Sequence, residues 1–268
     1  MFLAAALQLN CNSNAERNYA QVRELLSRAQ RYGVAFAASP ENTNYLGPHH
    51  EKVRLAETME GPTVERFGAL AREFGLHYLM GSFNEKSDDP KRCYNTSVLF
   101  GPDGAVLGSY RKMHLFDVNV SKDVSFVESN TVVPGAAPVV VDTELGRIGL
   151  SVCYDLRFPE FYRALTDQGA QIIAVPSAFT LPTGKDHWHA LMRARAIENQ
   201  AYVIAPGQHG PHDDDGLRLS YGHSMIVDPW GAITGMSSDG VGLALAEIDL
   251  DRVARTRRGM PVADHRRL

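Results

Sequence analysis

Three residues that could together carry acyl chemistry stand far apart in this sequence: Cys153, Glu41 and Lys112. Cys153 follows the glycine-bounded apolar run Gly146-Arg147-Ile148-Gly149-Leu150-Ser151-Val152 and precedes Pro159-Glu160, which reads as the first turn of a helix. A thiol at such a strand-to-helix turn has the backbone N–H groups of the next residues facing whatever its sulfur attacks. Most single cysteines are nonetheless inert packing. Glu41 follows the apolar residues 34–38, and Lys112 follows residues 105–110. Taken singly, Glu41 reads as a surface carboxylate and Lys112 as a solvated cation, since Lys and Glu are rarely buried unpaired. Strand ends in one sheet lie close together, however, so the three can meet. The set then has chemical sense, because a thiol nucleophile needs a base and a developing oxyanion needs a cation.

The elements that would position them alternate between strand and helix. Residues 2–9 form an apolar strand, and Asn12, Ser13 and Asn14 can cap a helix to about residue 32, with Val22, Leu25, Leu26 and Ala29 on one face. A strand over 34–38, a helix over 61–74 stopped by Gly75 and a strand over 76–81 follow. Pro102-Asp103-Gly104 joins strands 94–100 and 105–110 as a hairpin. Residues 121–134 read as a long loop. A second hairpin (139–141 with 147–152) leads to Cys153, followed by a helix over 159–168 and a strand over 172–175. Asp186 can cap the next helix, and a strand over 202–205 follows it. Asp228-Pro229-Trp230-Gly231 turns a third hairpin whose first arm is residues 220–227. A strand at 243–248, a helix at 250–257 and a basic, irregular tail from 258 complete the chain. Hairpins rule out a purely parallel doubly wound sheet. Two mixed sheets packed face to face, helices outside, satisfy the apolar faces. With no linker-like run and no fixed repeat, residues 1–268 read as one domain.

Composition narrows the class. The 268 residues are 44% hydrophobic and 22% charged, ordinary for a globular protein. A net charge of −4 provides no field for nucleic acid or an anionic membrane. No apolar run approaches the roughly 18 residues of a membrane span, and the N-terminus lacks signal-peptide features. Three cysteines without metal-type spacing fit a reducing cytoplasm better than a disulfide framework. The expectation is a cytoplasmic enzyme of small molecules, with no metal and no cofactor.

Three ordered pieces carry a resemblance: Ser39-Pro40-Glu41-Asn42, Tyr110-Arg111-Lys112-Met113-His114-Leu115-Phe116-Asp117, and Gly149-Leu150-Ser151-Val152-Cys153-Tyr154-Asp155-Leu156-Arg157-Phe158-Pro159-Glu160. They resemble the signature regions of the nitrilase (carbon–nitrogen hydrolase) superfamily. Further pieces, including Thr183-Gly184-Lys185-Asp186-His187-Trp188 and Tyr221-Gly222-His223-Ser224-Met225, are similar to its Nit branch. The resemblance implies a four-layer αββα sandwich and a Glu–Lys–Cys triad on Glu41, Lys112 and Cys153. It also implies a homodimer or larger assembly, and an amidase acting on deaminated glutathione or on α-ketoglutaramate. Ser39 departs from the family, which more often has an apolar residue there; the expected effect is on packing.

In that frame Glu41 takes the thiol proton of Cys153 from within a dry pocket and returns it to the leaving amine. Lys112 and the Tyr154 backbone N–H hold the oxyanion. Ammonia leaves, and water hydrolyses the thioester. Glu128 matches the family's second active-site glutamate, expected to keep Lys112 charged and oriented. Arg157 is a candidate for gripping a substrate carboxylate through paired hydrogen bonds, with an ion pair to Glu160 or Asp155 as the alternative. Thr183 is a second candidate on a pocket loop, with a plain turn as the alternative. Phe179 is a candidate apolar wall, with a core aromatic as the alternative.

Other readings fare worse. His187 and His189 stand two apart and cannot share a helix face as a zinc pair, and His209, His212 and His223 add no ligand spacing. A non-catalytic scaffold on the same fold predicts a broken triad, and all three residues are present. A nitrilase or carbamoylase would use the same triad. Gly240-Val241-Gly242 is too short for a dinucleotide fingerprint, and Asp213-Asp214-Asp215 reads as a solvated loop.

Overall fold

The computed structural model describes residues 1–121, 124–212 and 218–267. In chain order the elements are β1 (Phe2–Leu9), α1 (Ala15–Arg31), β2 (Val34–Ala38), α2 (His49–Arg54), α3 (Pro62–Phe74), β3 (His77–Lys86), β4 (Cys93–Phe100) and β5 (Val106–Arg111). Then come β6 (Asp117–Ser121), β7 (Val124–Val127), β8 (Val139–Thr143), β9 (Gly146–Leu150), α4 (Pro159–Asp167), β10 (Ile172–Ala174), α5 (Leu181–Asn199) and β11 (Tyr202–Ala205). The chain finishes with β12 (Gly207–Pro211), β13 (Leu219–Tyr221), β14 (Met225–Val227), β15 (Ile233–Met236), β16 (Gly242–Ile248) and α6 (Leu250–Gly259).

One sheet runs β13-β12-β1-β2-β3-β4-β5, with β16 antiparallel to β1; the second runs β15-β14-β11-β10-β9-β8. Alternation along the strands explains the layering. On β1, Ala4 and Ala6 point into a core shared with the second sheet, while Ala5, Leu7 and Leu9 join the α1 and α3 side chains Val22, Leu25, Phe67 and Leu70. The same two-residue period divides Leu79 from Tyr78 and Met80, and Leu99 from Val98 and Phe100. Trp188 and Met192 of α5 and Phe161 and Leu165 of α4 cover the second sheet. The result is helix, sheet, sheet, helix, the expected αββα sandwich. Each fully buried Leu, Ile or Phe contributes roughly 1.5–3 kcal/mol to holding these layers.

Local signals placed most elements. Asn14 caps α1 by accepting from the Arg17 N–H, and Gly75 ends α3 in the left-handed conformation. Several expectations need correction. Residues 121–134 are not a bare loop: β6 and β7 form a two-stranded ribbon, followed by a 3₁₀ turn over Glu128–Asn130. Among the described residues the ribbon pairs only with itself. The helix assigned to an Asp186 cap starts at Leu181, with Pro182 in its first turn. Residues 220–227 are two strands in different sheets, β13 and β14, broken at Gly222 and His223, both at positive φ. Helix α2 and strand β12 had no sequence signal. The basic segment from 258 begins inside α6, and the Arg266 guanidinium pairs with Asp167. Asp213, Asp214 and Asp215 lie outside the described residues. No helix among those described is long and apolar enough to cross a membrane.

Candidate active site

Glu41 sits just past β2, where the sheet's backbone leaves it no freedom. A Cβ at Gly81 would fall 2.0 Å from the Pro40 carbonyl oxygen, so only glycine lets β3 pass this close beneath the loop. Ser39 does more than pack. Its hydroxyl is 2.7 Å from the Tyr78 hydroxyl and accepts from the Thr43 hydroxyl (2.9 Å) and the Gly81 N–H (3.2 Å). The Gln208 amide donates to the Glu41 carbonyl at 2.9 Å. These bonds aim the Glu41 carboxylate inward.

Lys112 follows β5, its N–H bonded to the Asn95 carbonyl at 2.9 Å and its carbonyl accepting from the Gly135 N–H at 2.8 Å. Its ammonium lies 2.9 Å from Glu41 Oε1 and 2.8 Å from Glu128 Oε2. Glu128 enters from the 3₁₀ turn after β7 and also accepts from the Phe116 N–H at 2.7 Å. Asn95, on β4, donates to Glu41 Oε1 at 2.9 Å and more weakly to Glu128 Oε1 at 3.4 Å. Glu41 Oε2 accepts from the Ala178 N–H at 3.0 Å. All four groups are nearly closed off from solvent: Glu41 is 3% exposed, Lys112 2%, Glu128 4% and Cys153 7%.

Cys153 begins a 3₁₀ turn, Cys153–Arg157, between β9 and α4, rather than lying directly at a helix N-terminus. Its φ of +49° is a left-handed conformation that side chains avoid, at a cost of about 1–2 kcal/mol. Asp155, fully buried, holds the turn in place. Its carboxylate accepts from the Val152 N–H (2.8 Å), the Tyr110 hydroxyl (2.8 Å) and the His114 N–H (3.0 Å), and lies 2.7 Å from His114 Nδ1. The Cys153 N–H is used by the Pro176 carbonyl (2.8 Å), whereas the Tyr154 N–H donates to no described atom. An asparagine at 155 would turn an NH₂ toward two of these donors. The expected result for Asp155→Asn is a stability loss of about 2–4 kcal/mol in urea titration, with a kcat at least about tenfold lower. Unchanged stability and turnover would show that the turn holds without this carboxylate.

The electrostatics follow from burial and contact. Burial alone would lower the Lys112 pKa, but Glu128 and Glu41 outweigh it, and the ammonium is held well above the ordinary lysine value. Burial would raise Glu128, and Lys112 overcomes it, keeping the carboxyl below its usual range. Burial and the Glu41 charge push the Cys153 thiol well above the usual cysteine value, against Lys112. A thiol so placed reacts only as a base takes its proton.

The peripheral residues are less uniform. Arg157 makes no ion pair with Glu160 or Asp155 among the described residues; it lies 3.3 Å from His187 Nδ1 and above the Phe179 ring at 5.1 Å. Phe179 is in the core against Trp188, centroids 5.2 Å apart, while its ring meets Arg157. Thr183 is in the first turn of α5, not in a loop, and its hydroxyl is 2.7 Å from that of Thr180. His189 packs near Tyr221 and His223. No group of three or more metal-ligating side chains occurs among the described residues. Asn95, Ala178 and Asp155 were not expected as site residues. Asn95 and Ala178 each act through one amide or N–H whose partner lies tens of residues away, and Asp155, besides Val152, reaches Tyr110 and His114 45 and 41 residues away; no spacing rule announces them.

A αββα sandwich with a buried thiol, an ammonium and two carboxylates at the strand ends is a carbon–nitrogen hydrolase arrangement. Residues 3–258 match the carbon-nitrogen hydrolase family model, and the chain belongs to that family. It is an enzyme of the amidase class. It is 43% identical over 268 residues to the deaminated glutathione amidase of Synechocystis sp., covering 99% of this chain and 98% of that one. To the human deaminated glutathione amidase it is also 43% identical, over 99% of this chain and 82% of the relative. The crystal structure of the C. elegans NitFhit protein matches with a TM-score of 0.92 at 38% identity, covering 99% of this chain and 65% of that one. The resemblance to the Nit branch is borne out.

Proposed function

We propose that this protein is a deaminated glutathione amidase, with Cys153 as nucleophile, Glu41 as general base and acid, and Lys112 with the Tyr154 N–H as oxyanion donors. The observation that carries the reading is the closed cluster in which one ammonium touches two carboxylates, 2.9 Å from Glu41 and 2.8 Å from Glu128. Glu41 takes the thiol proton as sulfur attacks the amide carbon. The tetrahedral oxygen draws on Lys112 and Tyr154, whose donors are fixed before reaction and need no reorganisation. Glu41 returns the proton to the leaving nitrogen, the C–N bond breaks, and water attacks the thioester with Glu41 as base. Glu128 keeps Lys112 charged and in place. The substrate assignment rests on relatives at 43% identity over nearly the whole chain.

Glutathione contains two substituted amides and no primary one. Its deaminated form therefore releases an amine-bearing fragment, and ammonia would leave only from a primary amide such as α-ketoglutaramate. Arg157, over the Phe179 ring and near His187, is the proposed grip on a substrate carboxylate, with Thr183 in the first turn of α5 as a second candidate. Arg157→Ala should raise KM for carboxylated amides by about tenfold or more and change neutral amides little; equal losses on both would remove that role. We place the enzyme in the cytoplasm, working as one domain per chain and as a homodimer. The deciding assay compares deaminated glutathione, α-ketoglutaramate, a carbamoyl-amine and a simple nitrile. A kcat/KM highest for deaminated glutathione is expected; a tenfold preference for any other member of the panel would sink the assignment.

A further inference from the structure

One buried cation takes no part in the acyl chemistry above. Lys52, on α2, is 3% exposed, and its ammonium has no hydrogen bond or ion pair among the described residues. A charge so nearly closed off and bonded to no described group is costly for a fold to retain. Burial holds its pKa below the ordinary lysine value, against the fields of Glu128 and Glu41, and the Arg218 guanidinium adds positive charge nearby. His49, on the same helix, is pushed down to about 3 by burial and by Lys52 and Arg218, so it stays neutral there.

Two polar atoms beside Cys93, which lies in the field of Lys52, are also unsatisfied among the described residues. Asn84 Nδ2 and Thr131 Oγ1 are buried donors with no partner among the described residues. Both residues adjoin Cys93, whose sulfur is 4.0 Å from Asn84 Oδ1 and 3.5 Å from the Thr131 carbonyl. Cys93 in turn lies in the field of Lys52. An ammonium, an amide N–H and a hydroxyl with no acceptor among the described residues, linked through Glu128 and Cys93, match the needs of a carboxylate.

We propose that Lys52, helped by Asn84 and Thr131, anchors a carboxylate on the leaving-amine half of the substrate. The direction follows from the acid chemistry. The group that protonates the leaving nitrogen must stand on the leaving group's side of the bond. Glu41 and Glu128 are the carboxylates whose fields reach Lys52. Arg157, by contrast, belongs to the turn of the nucleophile, which keeps the acyl half. The two cations thus bracket the scissile bond, one for each end of a substrate carrying a carboxylate on both sides. This inference rests on the deaminated glutathione reading, because a primary amide has no second anionic half to hold.

The test uses two substrates sharing an acyl half, deaminated glutathione and α-ketoglutaramate, with the wild-type enzyme, Lys52→Met and Lys52→Arg. Lys52→Met should raise KM for deaminated glutathione by about 30-fold or more, with α-ketoglutaramate unchanged within about twofold. Lys52→Arg should recover much of the loss. The α-ketoglutaramate rate also reports that the variant is folded. Equal losses on both substrates would mean that Lys52 acts through Glu128, and no loss on either that it anchors nothing; both overturn the inference. A wild-type enzyme inactive on deaminated glutathione overturns the functional reading and this inference with it. An active wild type with an unaffected Lys52→Met overturns the inference alone.

Discussion

Replacing Cys153 with alanine should lower amidase turnover by at least about four orders of magnitude while leaving the fold intact. The reason is that no other group near the scissile bond can form the acyl intermediate. Cys11 and Cys93, the other thiols, are buried, and the Cys93 sulfur faces Asn84 and the Thr131 carbonyl. Cys11 donates to the Thr43 carbonyl, and burial pushes its thiol up to about 12. Nor should the substitution unfold the protein, because Asp155 holds the turn through backbone and side-chain donors that do not involve sulfur. Steady-state kinetics with a urea titration on the same sample checks both halves. Turnover within tenfold of wild type would remove Cys153 as the nucleophile.

Replacing Lys112 with methionine should reduce kcat by at least about 10²–10³, the usual cost of a lost oxyanion donor. It should also destabilise the protein by about 3–5 kcal/mol near neutral pH, because two buried carboxylates lose the cation between them. The pH dependence should change sign. In the wild type, Glu128 is held below its usual range by Lys112, so its contribution is present above the unfolded carboxylate pKa and is lost as pH falls through the folded one. Lys112 is raised, so its contribution is complete below the ordinary lysine pKa and is lost only as pH rises through the folded value. Without Lys112, burial governs the carboxylates and favours their neutral forms. The variant should then become more stable, not less, between about pH 7 and pH 5. Urea midpoints at the two pH values decide it, and a parallel acid response in both proteins would show that the carboxylates do not depend on Lys112.

How much of this was legible beforehand differs by residue. Helices α1 and α3 were plain, because an asparagine cap and a terminal glycine are local devices and their apolar faces repeat every three to four residues. The αββα layering followed from faces that had to be covered. The β6–β7 ribbon and the early start of α5 were not legible. The first is stabilised by pairing with itself, and the second by Pro182 and the close packing of Gly184 on Tyr221, where a Cβ would fall 2.3 Å from the Tyr221 Cβ.

The site divides along the same line. Glu41, Lys112, Glu128 and Cys153 could be listed from the sequence because each stands in a recognisable run of neighbours. Their types determined the chemistry available: a thiol, a base and a cation. Only the tertiary structure decided that one ammonium touches both carboxylates, that Asn95 spans them and that Ala178 donates to Glu41. It alone left Lys52 nearly closed off with no hydrogen bond or ion pair among the described residues. Residue identity and spacing act over a few positions along the chain. Charge pairing and desolvation depend on distances of a few ångströms between segments that the sheets bring together, and no local pattern encodes those.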